Sequence, residues 1–432
     1  MFESIYRWIR QRRGLLVLAV VFATVGAATA CDESLDGGAA CPVLCPSPAE
    51  SFRDTTFGAV VFDTTLSGFP SLGLSSNVLL ANRPDTLVTR AVFRFDVIAT
   101  SFYPDDGGTL DSITTVDSVM LKLPLDTTGS RGRSAVTIDV FDVDTTESDS
   151  VSAVVASLFR PDRRIGSVSV VPELAGDTLL IPLPGSVIEE KIANGGRLRV
   201  GLQISIGTGQ LRLTAFTFSA GAPVLQYDPA TDSIYSPLVL RTSTSMPNAS
   251  ADLLLAYQAY GLVMQGSPPI DDPSLLVVGG YPASRSYLRF DVPARITDSS
   301  TIVRADLLLT QVPSHFGNPD DSVAIVALVP TNTDVVTDMR RILDLAAEGM
   351  FAAIDTTRLL PSDSGVKVIN VLTLTRTWRT LPGNVPRALA FRINREGSQP
   401  AQLLFFGNKV MDPQLRPRLR ITYLPRSEFV LP

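Results

Sequence analysis

Two short stretches decide the fold of this chain: Ala91–Val97, which reads AVFRFDV, and Ser286–Val292, which reads SYLRFDV. In both stretches apolar side chains alternate with charged ones. A period of two is typical of a β-strand that buries one face and leaves the other toward solvent. The alternation predicts that Phe93 and Phe95 lie in a core, because a slip of one residue would expose both rings.

A long train of further alternating runs follows each stretch, and the two trains match in spacing. Phe290 follows Phe95 by 195 residues, and Tyr423 follows Tyr227 by 196. Nearly equal offsets at the two ends of a unit indicate an internal duplication, and a unit of this length needs its own core. The prediction is therefore an all-β protein built from two tandem jelly-roll-like antiparallel β-sandwiches, residues 52–228 and 229–425, followed by a tail at 426–432.

Each predicted sandwich carries a short helical insertion. The first is Asp149–Leu158, which ends at an Arg-Pro break, and a small helix is also expected at Val187–Ala193. The second is Thr337–Ile354, whose apolar residues recur at helical spacing and which we expect to lie over an end or edge of its sandwich.

The composition excludes several classes of function. A net charge of −6 argues against a nucleic-acid partner, which needs a basic surface. The single histidine, His315, argues against most histidine-based catalytic or metal centres. We therefore predict no enzyme activity. The alternative is a polysaccharide lyase or hydrolase, which would need two converging carboxylates or a group of Tyr, His and Arg side chains.

The N-terminus has the layout of an export signal. Basic residues up to Arg13 precede an apolar run at 14–25 and small residues at 26–30, which predicts a signal peptide at 1–30. Ala28–Cys31 resembles a bacterial lipobox, although Ala28 stands where leucine is usual. That resemblance implies acylation of Cys31 and a lipid bilayer as partner, in a leaflet left open. Plain secretion and a membrane span are the alternatives.

Residues 31–51 form a predicted flexible tether. Its Gly, Pro and Ser residues and the lack of periodicity are typical of a linker. Cys41 and Cys45 lie four residues apart and are predicted either to close a small disulfide after export or to remain free thiols.

The second train resembles the DNRLRE group of bacterial extracellular β-sandwich modules. The likeness rests on Arg289-Phe290-Asp291, on the VKVINV run that precedes Trp378, and on the closing RPRLRITY that contains Tyr423. It covers residues 250–425 well and 60–228 weakly, and the first copy lacks the tryptophan. The resemblance implies a surface module, in some members a carbohydrate-binding one with a jelly-roll shape.

Candidate binding residues are aromatic and acidic. Sugar platforms stack an aromatic ring on a pyranose, and the candidates for glycan contact are Tyr257, Tyr260, Tyr281, Tyr287 and Trp378, although Trp378 ends an apolar run that favours a core or rim position. No cofactor is predicted, but acidic turns suggest structural Ca²⁺ at Asp105, Asp106 and Asp111 or at Asp320 and Asp321.

The sequence thus favours an exported lipoprotein that presents two non-catalytic modules to a polysaccharide or an envelope protein. A structural or adhesive scaffold subunit of a surface complex is the alternative.

Overall fold

The computed structural model describes residues 52–69, 75–104, 108–149, 151–215, 221–230, 237–243, 258–318, 320–330, 350–352 and 357–425. The chain divides into two units, Met1–Ser51 and Phe52–Pro432, and all the described residues lie in the second. The predictions for the signal peptide, Cys31, Cys41 and Cys45 therefore fall outside the described residues. Antiparallel strands dominate the described part, which confirms the all-β prediction.

The strands are β1 Arg53–Phe57, β2 Val60–Phe69, β3 Asn77–Arg83, β4 Leu87–Phe95, β5 Ser101–Phe102, β6 Asp111–Ser112, β7 Val116–Pro124, β8 Val136–Asp142, β9 Arg164–Val170, β10 Thr178–Leu183, β11 Leu198–Ile206, β12 Gly209–Thr214, β13 Val224–Pro229, β14 Leu238–Arg241, β15 Ala259–Gln265, β16 Leu275–Gly279, β17 Ala283–Phe290, β18 Ser300–Val312, β19 Val323–Pro330, β20 Met350–Ala352, β21 Thr357–Leu359, β22 Gly365–Asn370, β23 Ala388–Ile393, β24 Gln402–Phe406 and β25 Arg418–Pro425. The helices are α1 Ser152–Ser157, α2 Gly185–Ala193, α3 Ala294–Thr297 and α4 Leu372–Thr377.

The two repeated stretches form β4 and β17, each in the middle of a sheet. Phe93 and Phe95 are both 0% exposed, as the alternation predicts. In β17, Phe290 is buried and its ring lies 5.3 Å from that of Trp378, centroid to centroid. Burial of each large apolar side chain stabilises the fold by about 1.5–3 kcal/mol, so these strands anchor their cores.

The first module, strands β3 to β13, contains two sheets over one core. One sheet has the order β12-β3-β4-β11-β8-β9, and the other has the order β10-β7-β13. A single cluster of buried side chains draws on both sheets, for example Phe93 and Val200 from one and Leu121 and Ile181 from the other.

The second module, strands β16 to β25, has a single continuous sheet around its own core. The long strand β18 pairs with β25 and β22 over most of its length and with β24 at its end. Through its pairing with β24, β18 connects β25 to the strands β24-β16-β17-β23-β19 in one sheet. Leu307, Leu288, Phe391 and Tyr423 belong to the buried cluster enclosed by these strands.

Most strand neighbours in the two modules correspond, although β18 pairs with β24 only in the second. The path β12-β3-β4-β11-β8 in the first module matches β24-β16-β17-β23-β19 in the second. The pairs β7-β13 and β7-β10 match β18-β25 and β18-β22. The chain therefore repeats one pattern of strand pairing twice, in agreement with the equal offsets in the sequence.

The two modules exchange their leading strands, which the sequence did not predict. The N-terminal arm, β1 and β2, pairs with β25 and β17 of the second module. The middle arm, β14 and β15, pairs with β13 and β4 of the first module. The predicted bounds 52–228 and 229–425 are therefore wrong at these four strands, because each arm completes the module built from the other repeat.

The helical insertions are placed in part. The predicted insert at 149–158 contains α1, and the small helix predicted at 187–193 is α2. Most of the predicted helix at 337–354 lies outside the described residues. Its described part, Met350–Ala352, is the strand β20, which pairs with Leu328–Pro330 of β19. The helix prediction is wrong there, because a short apolar segment fits a sheet edge as well as a helix face.

The modules also touch each other directly. Leu79, Ala81 and Leu87 of the first module share a small buried cluster with Tyr281 and Phe316 of the second. Ion pairs and hydrogen bonds surround this cluster: Arg395 to Asp126 at 3.1 Å, Arg131 to Asp321 at 3.3 Å, and the Arg212 Nε to the Ser398 carbonyl oxygen at 3.0 Å.

Candidate functional site

The most concentrated group of ionisable side chains lies beneath the middle arm in the first module. Arg94 pairs with Asp96 and Asp149, and all three side chains are almost fully buried. Arg199 Nη1 lies 3.1 Å from Asp149 Oδ1. The Tyr260 hydroxyl, which β15 supplies, donates to the same carboxylate at 2.7 Å. A carboxylate on the loop before α1 thus holds two arginines and the exchanged strand together.

The electrostatics of this cluster favour a fixed pattern of charge. Burial, followed by the charge of Asp149, raises the pKa of Tyr260 far above its usual value, so this phenol stays a neutral donor. Burial opposes the charge on Arg94, but hydrogen bonding and attraction from Asp96 and Asp149 outweigh it and raise the pKa of Arg94. The arginine therefore remains charged, and the cluster joins β4, β11, β15 and the loop before α1.

A second buried ion pair lies beneath the N-terminal arm. Arg285 donates from Nε and Nη2 to the two carboxylate oxygens of Glu396, at 2.9 and 2.6 Å. The guanidinium also lies 3.9 Å from the ring centroid of Phe69, the last residue of β2. Bidentate Arg–carboxylate pairs are among the stronger polar contacts in proteins, and the aromatic contact adds to them. Both modules therefore use a buried charge beside an exchanged strand.

The charged residues of the repeated stretches, Arg94 with Asp96 and Arg289 with Asp291, alternate along their strands, so each Arg can pair with its Asp or fix a neighbouring loop. Arg94 does both, through Asp96 and Asp149. In the second module, the Arg289 guanidinium lies 5.8 Å from the ring centroid of Phe62, and the Asp291 backbone N–H donates to the Ala59 carbonyl oxygen. Arg94 and Asp96 are buried and Arg289 is half-buried, whereas Asp291 is exposed. The arms pair as neighbouring strands with β4 and β17.

Four of the five predicted glycan-contact residues are buried, which corrects the prediction. Tyr260, Tyr281, Tyr287 and Trp378 are each less than 5% exposed. Trp378 donates from its indole nitrogen to the Ala388 carbonyl oxygen at 3.2 Å, which places it in the core. A buried ring has no free face to stack on a sugar. Tyr257 lies outside the described residues.

The predicted calcium ligands Asp111, Asp320 and Asp321 lie within the described residues. No group of three or more His, Cys, Asp or Glu side chains in those residues is arranged to hold a metal ion. Asp321 instead accepts hydrogen bonds from Asn318 and Arg131, and Asp111 accepts from the backbone N–H of Ser112. Asp105 and Asp106 lie outside the described residues.

A shallow polar cleft with a volume of about 180 Å³ lies where β2 meets β16. Asp63, Asp271, Asp272 and Lys409 contribute to its lining. The Ser274 hydroxyl and backbone N–H both donate to Asp272, and these hydrogen bonds lower the pKa of Asp272. The Asn408 backbone N–H donates to Asp63 at 2.5 Å, so the charges of the cleft are partly used to hold the arm.

The outer face of the sheet β10-β7-β13-β14 is a broad exposed surface. The register of the four strands aligns their side chains in two rows that run across the sheet, and we call these two rows the outer face. Leu180 and Val239 are 49% and 52% exposed, and they alternate with cationic and amide side chains. The two rows consist of Leu180, Lys122, Val224 and Arg241, and of Pro182, Met120, Gln226 and Val239.

No protein-family model matches the chain, and no curated protein sequence matches it. The solved structures that match include a chain of "Structure of infectious bursal disease virus Gt strain", with 9% identity over 89% of this chain and 78% of that chain. Its TM-score is 0.12, which carries no argument about fold or function. The DNRLRE resemblance therefore stays a prediction. Among the described helices, none has the length and apolar character needed to cross a membrane.

Proposed function

We propose that this chain is an exported, lipid-anchored protein of the bacterial cell envelope that presents two jelly-roll-like β-sandwich modules for non-catalytic binding. The observation that carries the proposal is the order of features at the N-terminus. Basic, apolar and small residues lead to Cys31, and about twenty tether residues then lead to the first strand at Arg53. An acylated Cys31 would hold the modules at a membrane surface.

The use of buried charge supports a binding or structural role. Asp149 and Glu396 each hold arginines, and each pair lies beside an exchanged strand. An ion pair that is removed from water costs several kcal/mol of desolvation, which hydrogen bonds must offset. In this protein the hydrogen bonds join strands that are far apart in sequence, so the charges contribute to architecture.

The character of the outer face favours a protein partner over a glycan. Its exposed apolar residues are aliphatic, such as Leu180 and Val239, and they lie beside Lys122 and Arg241. Apolar side chains interspersed with arginine are common at protein interfaces. Glycan platforms depend on exposed aromatic rings, and the rings predicted for that role in the described part are buried.

Metabolic labelling with a palmitate analogue tests the anchor. The full chain, expressed in a bacterium, should take up the label and should sediment with membranes. Cys31→Ser should remove the label and release the protein from the membrane fraction. The matched control is Cys41→Ser, which changes a cysteine ten residues away and should leave labelling unchanged. An unlabelled parent chain, or a Cys31→Ser variant that keeps the label, would refute the anchor.

A further inference from the structure

The N-terminal arm occupies a well-defined strand-binding site on the second module. β1 pairs with β25 over five residues, and β2 pairs with β17 from Val60 to Phe69. Val60 and Phe69 are buried among side chains of the second module. Two polar contacts fix the register: the Ser67 and Ser284 hydroxyls lie 2.7 Å apart, and Asp63 accepts from the Asn408 backbone.

The contacts that hold the N-terminal arm do not involve the first module, which follows it in the chain. Its hydrogen-bond partners and paired strand residues in other described segments lie between 277 and 423, all in the second module. Strand addition of this kind draws its affinity from main-chain hydrogen bonds and its specificity from alternate side chains. The site therefore recognises the main chain and the alternate side chains of residues 53–69, whichever copy of the protein carries them.

The same geometry occurs twice in the molecule. β14 and β15 lie on β13 and β4 as β1 and β2 lie on β25 and β17. In both cases the arm precedes one module in the chain and completes the other. Each arm thus binds a module that does not follow it directly in the chain. The same binding site on a second molecule could accept the same arm, which is how strands are exchanged between molecules.

We propose that the N-terminal arm is exchangeable, and that the acceptor strands β17 and β25 bind the arm of a second copy of this chain. The partner is an identical extended segment, residues 53–69, paired in the same register. The resulting assembly is a strand-exchanged dimer in which each copy donates its arm to the other. Pairing within one chain benefits from an effective concentration on the order of millimolar, so exchange becomes visible after refolding of concentrated protein.

Engineered cysteines distinguish the two pairings. Asp54 and Thr422 are directly opposite in the register of β1 and β25, and both lie outside the core. Opposite residues on antiparallel strands have Cβ atoms about 4.5–5.5 Å apart, close enough for a disulfide after a small shift. One full-length variant carries Asp54→Cys and the other carries Thr422→Cys, both with the three native cysteines changed to serine. Neither variant can close this bridge within a single chain.

The two variants are mixed, unfolded in urea, refolded together and oxidised. We expect a disulfide-linked heterodimer whose fraction rises about tenfold when the protein concentration is raised tenfold below the millimolar range. A double variant with both cysteines in one chain shows that the bridge can form, because it should close within the monomer.

The matched control uses Lys122→Cys and Leu180→Cys, which oppose each other on β7 and β10 inside the first module. These strands belong to one module and are not exchanged, so mixing the two single variants should give no linked heterodimer. The proposal is overturned if the double Asp54→Cys, Thr422→Cys variant closes its bridge while the mixed single variants stay monomeric at every concentration. It is also overturned if the control pair links to the same extent.

Discussion

Phe69 offers a sharp test of the strand exchange, because it is near the first module in sequence and inside the second in space. Only seven residues separate it from β3, yet its ring is 2% exposed and packs beside Tyr287, Val326 and Leu328. The perturbation is Phe69→Ala. We expect it to weaken the second module and to leave the packing of the first module intact.

The magnitude follows from what the ring contacts. Truncation of a buried phenylalanine to alanine costs about 3–5 kcal/mol through lost transfer energy and a residual cavity. The ring also faces the Arg285 guanidinium at 3.9 Å, and the loss of this cation–π contact is part of that cost. A total of about 4 kcal/mol is a large part of the 5–15 kcal/mol by which a domain is stable.

Native-state hydrogen exchange shows which backbone amides lose protection when the second module is destabilised. Amides of Ser284–Phe290 in β17, a strand that pairs with the arm on one side and with β23 on the other, should lose about 4 kcal/mol of protection, or roughly a thousandfold in exchange rate. Amides of Ala91–Phe95 in β4 should keep their protection, because their partners are β11 and β15.

The reciprocal variant is Leu262→Ala in β15, which removes a buried side chain from the first module although Leu262 precedes the second in sequence. It should cost about 2–5 kcal/mol and loosen β4 while sparing β17. The reasoning fails if each variant instead loosens the module nearest to it in sequence.

Two further predictions concern the whole molecule. A protease site inserted between Ala230 and Leu238 allows the chain to be cut into two fragments. The cleaved protein should elute from a gel-filtration column as one species without denaturant and as two fragments in urea, because each fragment carries an arm bound in the other's module. Fragments that separate without denaturant would contradict the exchange. Burial raises the pKa of Tyr227 to about 12, so the contribution of this phenol to folding stability is complete below pH 10 and is lost as the pH rises from 10 through 12. The loss amounts to about 2–3 kcal/mol at the limit. Urea unfolding at pH 9 to 12 should show the stability difference between the parent chain and Tyr227→Phe shrinking over that range, and a constant difference would contradict this assignment.

The sequence was sufficient for the strands and the core, because both depend on a local period. Alternation placed Phe93 and Phe95 inside, and equal offsets indicated two copies of one pattern. Which sheet an arm joins depends on contacts across more than 200 residues, such as Thr65 with Ser286. The duplication itself removes the local signal, since β4 and β17 are equivalent acceptors and the pattern of β2 fits either.

The candidate site shows the same limit. Arg94 and Asp96 alternate away from the core of their strand, which correctly placed them on the opposite face. Their burial depends on Asp149 and Tyr260, which come from a distant loop and from an exchanged strand. For Arg94 and Asp96, an outward position in the sequence pattern was therefore not an exposed one, and Tyr260 and Tyr287 are buried as well.

The contact between the modules and the exchange of arms have one geometric origin. The N-terminal arm ends at Phe69 opposite Ala283, and farther along the chain the Ser75 hydroxyl donates to the Glu396 carbonyl oxygen at 3.1 Å. The middle arm ends at Gln265, and the Ser267 backbone N–H then donates to the Tyr281 carbonyl oxygen at 2.7 Å.

The N-terminal arm therefore ends beside the Gly279–Ala283 turn, and the segment after the middle arm contacts the same turn, where Leu79 and Tyr281 also pack together. Two short connections can cross between modules only where the modules touch, so the small apolar cluster around Tyr281 makes the exchange sterically feasible. The arms themselves are held elsewhere, by β17, β25, β4 and β13. Loss of a rim ion pair such as Asp126 with Arg395 should thus loosen the contact between modules without releasing either arm, because exposed pairs contribute at most about 1 kcal/mol.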